Sequence, residues 1–264
     1  MSAWLFQLFF ELKHLMIPGT NGIQIVKFID QRLEHTGLHS ALLGFHGFNH
    51  SCCISINSVA AHGVPNSIAF QSGDIITVDL AVTDGQKFAD SAWTYLINSR
   101  DPAALQLISA AWRATIQGCL SCLTGKMIGD ITRSAYDVAQ QFGYHIPKNC
   151  YGHGIGDHLH ISPRIPFDVN DPLYPKLRET PFEMNQYLNI EPILYKQESH
   201  SEPYENILLD HSDGLLTPNR TPAAQYELTV APQKANPSSM ISSIVTLPGF
   251  NPFDSRIAKF PPFF

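Results

Sequence analysis

The stretch Ile75-Ile76-Thr77-Val78-Asp79-Leu80-Ala81-Val82-Thr83-Asp84-Gly85-Gln86-Lys87-Phe88-Ala89-Asp90 reads as strand, turn, strand. Asp-Gly between two apolar runs is a strong hairpin signal, because glycine accepts the positive φ that a tight turn requires. A two-residue turn centred on Asp84 and Gly85 sets Asp79 directly opposite Asp90 on one face of the hairpin. Like charges facing each other across a ladder repel. Something positive belongs between them, and a shared divalent cation is the simplest candidate.

Working outward, two more carboxylates and a histidine sit in comparable settings. Glu191 lies in the apolar run Tyr187–Leu194 and Glu227 in the run Ala224–Ala231, both read as strands. A carboxylate at an inward position of a core strand needs a partner or a metal. His153 lies in Gly152-His-Gly-Ile-Gly156, where alternating glycines allow close backbone approach. His160 follows in the same segment, and His158 reads as a surface residue. Asp79, Asp90, Glu191 and Glu227 carry four negative charges, which two divalent ions would match. Unmatched, each pair about 4 Å apart would cost about 4 kcal/mol at an effective dielectric near 20. Carboxylates with one imidazole suit Mn, Fe(II), Co or Zn without choosing among them.

The 264 residues hold 44% hydrophobic and 15% charged residues, which suits a compact globule with an ample core. The net charge of −6 offers no broad basic surface, so no specific nucleic-acid partner is expected. Five cysteines follow no disulfide framework and read as reduced thiols of a cytoplasmic protein. Cys119 and Cys122 fall in a helix-like run, where a buried helix face explains their spacing. The apolar start Ala3–Phe10 is too short to span a membrane, meets Glu11 and Lys13 at once, and reads as a core-packing first helix. Helices are expected over about 3–16, 21–37, 102–123 and 130–142, with strands at 52–56, 58–61, 75–97, 152–161, 187–194 and 224–231. This order repeats loosely, suggesting two related halves around one site within a single unit, 1–232. The Pro- and Ser-rich stretch 233–264 reads as a peripheral tail.

In this order and these contexts, Asp79, Asp90, His153, Glu191 and Glu227 resemble the ligand set of the type I methionine aminopeptidases, members of the pita-bread metallopeptidase family. Gly44-Phe-His-Gly-Phe48, Cys53-Ile-Ser-Ile-Asn57, His62-Gly-Val-Pro65, Gly152-His-Gly-Ile-Gly156, Ile190-Glu-Pro192 and Ala224-Gln-Tyr-Glu227 extend the resemblance over roughly residues 18–231. It implies an α+β pita-bread fold, with two pseudo-symmetric αβ halves around a curved antiparallel sheet that encloses one dinuclear metal site. The first family helix is shortened here. The resemblance also implies removal of the initiator methionine from the N-termini of nascent polypeptides when the second residue is small. That work would fall to a cytoplasmic monomer in transient contact with the ribosome. Asp90 and Glu227 would bridge two divalent ions (Fe, Mn, Co or Zn), Asp79 would chelate one, and His153 and Glu191 the other. Glu191 would move protons, His160 would contact the scissile amide, and His62 would assist proton transfer or hold the peptide. Phe45, Phe48, Cys53, Leu159 and Leu215 would line the methionine pocket. Leu42, Leu159 and Leu215 depart from the cysteine, phenylalanine and tryptophan usual there. Asn189 and Leu228 replace a threonine and a histidine beside the metal ligands, a change expected to weaken metal binding. The alternatives are an exopeptidase with a shifted first-residue preference and a degenerate paralogue that binds peptides without cutting them.

Overall fold

The computed structural model describes residues 1–122, 127–183, 186–196, 208–210 and 214–231; the expected tail 233–264 lies outside them. Its helices are α1 (Ser2–Leu12), α2 (Gly22–Leu33), α3 (Pro102–Leu120), α4 (Gly129–Phe142) and the short α5 (Tyr174–Leu177). Its strands are β1 (His39–Ser40), β2 (Cys53–Ile56), β3 (Val59–Ala61), β4 (Ile75–Thr83), β5 (Phe88–Leu96), β6 (Tyr151–Ile155) and β7 (Ile161–Pro166). They continue with β8 (Tyr187–Ile190), β9 (Ile193–Tyr195), β10 (Leu208–Asp210), β11 (Gly214–Leu216), β12 (Ala223–Gln225) and β13 (Leu228–Val230). Local chemistry explains the helix ends. Asn21 opens α2 through a reciprocal cap, its side chain accepting from Gln24 N while the Gln24 side chain accepts from Asn21 N. Asp101 caps α3 ahead of Pro102, and Gly143, at φ 74°, closes α4.

Every strand pair is antiparallel. One sheet joins β1, β4 and β2 with β5 on β4; a second runs β13-β8-β6-β7. The hairpin register differs from the expectation. Thr83 pairs with Phe88, so the loop holds residues 84–87, and Asp84 Oδ1 accepts from the Gln86 and Lys87 amides. Asp79 therefore faces Ala92, and Asp90 faces Ala81. A shift of two residues preserves the face, so the aspartates sit diagonally on one side instead of directly opposite.

Three expected strands are interrupted. The segment 152–161 is the β6 end of a hairpin with β7, not one strand. The runs holding Glu191 and Glu227 each break at the glutamate: β8 and β13 pair on one side of the break, β9 and β12 on the other. Both glutamates thus occupy a shared gap between sheets, where no ladder constrains them.

β5 divides core from site by strand alternation. Ser91, Trp93 and Tyr95 face the helices, while Asp90, Ala92 and Thr94 face the other way. Trp93 packs against Phe9 of α1, Trp112 of α3 and Tyr226, with ring centroids 6.1, 5.5 and 5.2 Å away. All four rings are essentially fully buried. Cys119 and Cys122 are buried at the end of α3 and free, as the helix-face reading expects.

Candidate metal centre

Five elements aim side chains at one point. β4 supplies Asp79, β5 Asp90, β6 His153, and the two strand breaks Glu191 and Glu227. Ligand atoms of Asp79, Asp90 and Glu227 lie within 4.8 Å of one another, as do those of His153, Glu191 and Glu227, so Glu227 is common to both groups. Asp90, His153 and His160 form a third such group. Tyr226 holds the Glu227 segment down: its ring sits among Trp93 and Trp112, and its hydroxyl donates to Thr94 O. The Glu227 amide donates to Ala92 O and its carbonyl accepts from Ser91 Oγ.

The electrostatics are those of a site built for cations. Desolvation lifts Asp79 to about 7. Desolvation first, then the neighbouring carboxylates, raise Asp90, Glu191 and Glu227 well above the usual range. Burial holds His153 down at about 4, so its ring is neutral. His153 Nδ1 lies 3.0 Å from Gly154 O, which places the ring proton on Nδ1. The lone pair of Nε2 then faces Glu191 Oε1 at 3.4 Å and Glu227 Oε1 at 3.9 Å. Three potential ligand atoms thus converge, and buried Asp90 Oδ1 has no hydrogen-bond partner among the described residues. These donor atoms fit divalent cations, and the backbone hydrogen bond at Nδ1 is the support a ligating histidine usually receives.

Neutral amides brace the carboxylates. Asn189 Nδ2 donates to Glu227 Oε1 at 2.7 Å, and its Oδ1 accepts from Thr229 Oγ1 at 2.8 Å. Gln225 Nε2 donates to Glu191 Oε2 at 3.2 Å. Asn189, the position where a threonine is usual, thus holds the Glu227 carboxylate in place. Leu228 is fully buried and pairs with Ile190.

A cavity of about 1070 Å³ opens above the cluster. Leu42, Phe45, Phe48, Cys53 and Leu215 line it, as do His62 and His160. Cys53 reaches it because it pairs with Asp79 across β2 and β4. His62, at φ 56°, follows β3. The His160 ring stands edge-on to His153 with centroids 4.4 Å apart, and to Phe45 at 5.7 Å. Burial lowers both His62 and His160. Leu159 does not reach the wall. It packs with Ala81 and Ile155 behind Leu42, because the turn between β6 and β7 points it inward while His160 faces out. The glycines of β6 serve close approach: a Cβ on Gly152 would collide with Asn189 O, and one on Gly154 with Ser162 O.

Sequence reasoning missed Gln225, His46, Cys150 and Arg164, all on the cavity wall. Period-two alternation from Glu227 flags Gln225. His46 lies inside the motif Gly44–Phe48, between two expected pocket residues; nothing local flags Cys150 and Arg164, which long-range pairing brings to the site.

The model of metallopeptidase family M24 matches residues 5–231. The chain is 30% identical over 225 residues to methionine aminopeptidase A of Synechocystis, covering 83% of this chain and 85% of that protein. It is 30% identical over 188 residues to the mitochondrial methionine aminopeptidase 1D of Homo sapiens, covering 71% of this chain and about half (53%) of that protein. The fold superimposes on the crystal structure of methionine aminopeptidase from Rickettsia prowazekii with a TM-score of 0.80 at 22% identity, covering 89% and 91% of the two chains. At that identity the likeness shows the fold alone.

Proposed function

Since the chain belongs to metallopeptidase family M24, in its type I methionine aminopeptidase branch, we propose that it removes the initiator methionine from polypeptides whose second residue is small. The observation that carries this reading is the confrontation of the neutral His153 Nε2 with the Glu191 and Glu227 carboxylates beneath an apolar cavity. Asp79, Asp90, His153, Glu191 and Glu227 would hold two divalent ions of Fe, Mn, Co or Zn. Bound there, the ions supply Lewis acidity and a water acidified towards a pKa of about 7.

The chain's own residues do the rest. Phe45, Phe48, Cys53 and Leu215, with Leu42, accept the methionine side chain, an unbranched thioether that adapts to an apolar wall. The substrate's free amino group would bind at the cluster, which restricts cleavage to the first residue. Glu191 takes a proton from the attacking water and passes it towards the leaving amine. His160 donates a hydrogen bond to the oxygen that gains charge as the scissile carbonyl becomes tetrahedral. His62, neutral near pH 7 because burial lowers it, assists proton transfer or holds the peptide.

Residues 1–232 act as one catalytic unit, a reading that the family match over 5–231 supports. One chain carries every ligand, so a monomer suffices. New N-termini emerge at the ribosome, where transient contact follows from the substrate. No helix among the described residues is long and apolar enough to cross a membrane, and five free thiols suit the reducing cytoplasm.

The test is to incubate purified protein with Met-Ala-Ser and Mn(II) or Fe(II), following free methionine by mass spectrometry against Glu191→Ala. Release that needs both metal and Glu191 is expected. No release with metal bound would point to a different first residue, with Leu42 and Leu215 as the cause. No release and no metal would leave a peptide-binding paralogue.

A further inference from the structure

Four strands put a row of residues across one sheet face. Thr229 pairs with Asn189, Asn189 with His153, and His153 with Arg164. Paired residues share a face, with Cβ atoms about 4.5–5.5 Å apart. The first three belong to the metal cluster and its bracing. Arg164 ends the row on the exposed strand β7, on the cavity wall.

Its guanidinium is held in place without an ionic partner. The carbon Cζ stands 3.8 Å above the centroid of the Tyr151 ring, a cation–π contact that fixes its position. The Tyr151 hydroxyl in turn donates to Asp171 Oδ2 at 3.0 Å, which anchors the ring. Among the described residues no carboxylate lies within ion-pair distance of Arg164, and Asp171 is engaged by Tyr151 and the Leu173 amide. The ligand cluster and an exposed guanidinium without an ionic partner among the described residues therefore share one cavity.

We infer that Arg164 binds a carboxylate on the substrate within the first few residues beyond the cleaved bond, making it a specificity-determining residue. This rests on the aminopeptidase reading above. A peptide whose amino group sits at the cluster runs outward at about 3.3 Å per residue, through the cavity that Arg164 lines. A planar guanidinium accepts a carboxylate through two parallel hydrogen bonds. The carboxylate has two sources: an acidic side chain near the start of a longer polypeptide, or the terminal carboxylate of a tripeptide.

The test compares kcat/KM of the metal-loaded full chain on Met-Ala-Ser-amide, Met-Ala-Asp-amide and Met-Ala-Ser free acid. The wild type is set beside Arg164→Ala and Arg164→Lys. The expected result is a preference of about 3- to 10-fold for a carboxylate-bearing peptide over the neutral amide. It should be carried by KM, shrink with added salt, fall to about unity in Arg164→Ala and return in part in Arg164→Lys. The aspartyl amide and the free acid show which source is read. A purely structural role for Arg164 over Tyr151 would lower all three peptides alike and leave the ratio intact, which overturns the inference. Calorimetric binding of the same peptides to the Glu191→Ala chain separates the two readings. A charge preference in binding without turnover upholds Arg164 and sinks the aminopeptidase; turnover with an unchanged ratio in Arg164→Ala does the reverse.

Discussion

Stripping the metal and scanning pH should expose the repulsion that the cluster is built around. Asp79 is held at about 7, and Asp90, Glu191 and Glu227 are raised as well, chiefly by desolvation. A carboxylate whose folded-state pKa is raised keeps a proton that the unfolded chain has released. The destabilisation it causes therefore grows as pH rises from the unfolded pKa through the folded one. Each group protonated only in the folded state changes stability by about 1.4 kcal/mol per pH unit. Between about pH 8 and pH 6.5 Asp79 contributes about 1 kcal/mol, and the other three carboxylates act in the same direction. About 1 kcal/mol raises the melting temperature of a chain of about this size by roughly 2–4 °C. The interval stops at about pH 6.5 for a reason. His62, His153 and His160 are lowered by burial, so below the ordinary histidine pKa the unfolded chain takes up protons first and stability turns downward. The assay is thermal unfolding of EDTA-treated protein, with metal content measured on the same samples. Metal-loaded protein should lose this slope, because cations replace the protons. A chelated protein whose melting temperature stays flat or falls from pH 8 to pH 6.5 would refute the reasoning.

Glu191→Ala should abolish methionine release while the chain stays folded, since it removes one charge from a repelling set; circular dichroism and the peptide assay check both halves. Asn189→Ala should weaken divalent-metal binding by about 10-fold or more, because Glu227 Oε1 loses its donor, as read by competition with a metal-sensitive dye. Trp112→Ala should cost about 3–5 kcal/mol in urea unfolding by opening a cavity between Trp93 and Tyr226. Asn21→Ala should cost about 0.5–2 kcal/mol by removing the α2 cap.

The convergence of Asp79, Asp90, Glu191 and Glu227 was legible because a carboxylate among apolar strand residues is costly unless it is paired or holds a cation. Their exact juxtaposition was less so. Asp84-Gly85 suggested a two-residue turn, but the Asp84 side chain organises four residues by accepting from Gln86 and Lys87. The face survived because the register moved by two. Glu191 and Glu227 read as strand interiors because their neighbours are apolar on both sides; that each occupies a break depends on which strand it pairs with. The partners of Asn189 carry no local signal either, since Glu227 and Thr229 reach it only through the pairing of β8 with β13. Arg164 carries no local signal. Its position across from His153 follows from the irregular β6–β7 register, which shifts between His153 and Gly154.

The placement of Tyr226 between Trp93 and Trp112 also constrains how the chain reaches its native state. The hairpin and α3 are made early in synthesis, yet the ring that fills the space between them arrives only with the last described strands. Until then the two indoles, which pack on each other, keep one side uncovered, and a nascent chain in that condition presents apolar surface to chaperones or to other chains. Contacts this distant in sequence slow folding. The metal cannot hasten it, since Glu227 follows Tyr226 directly and comes into position with it.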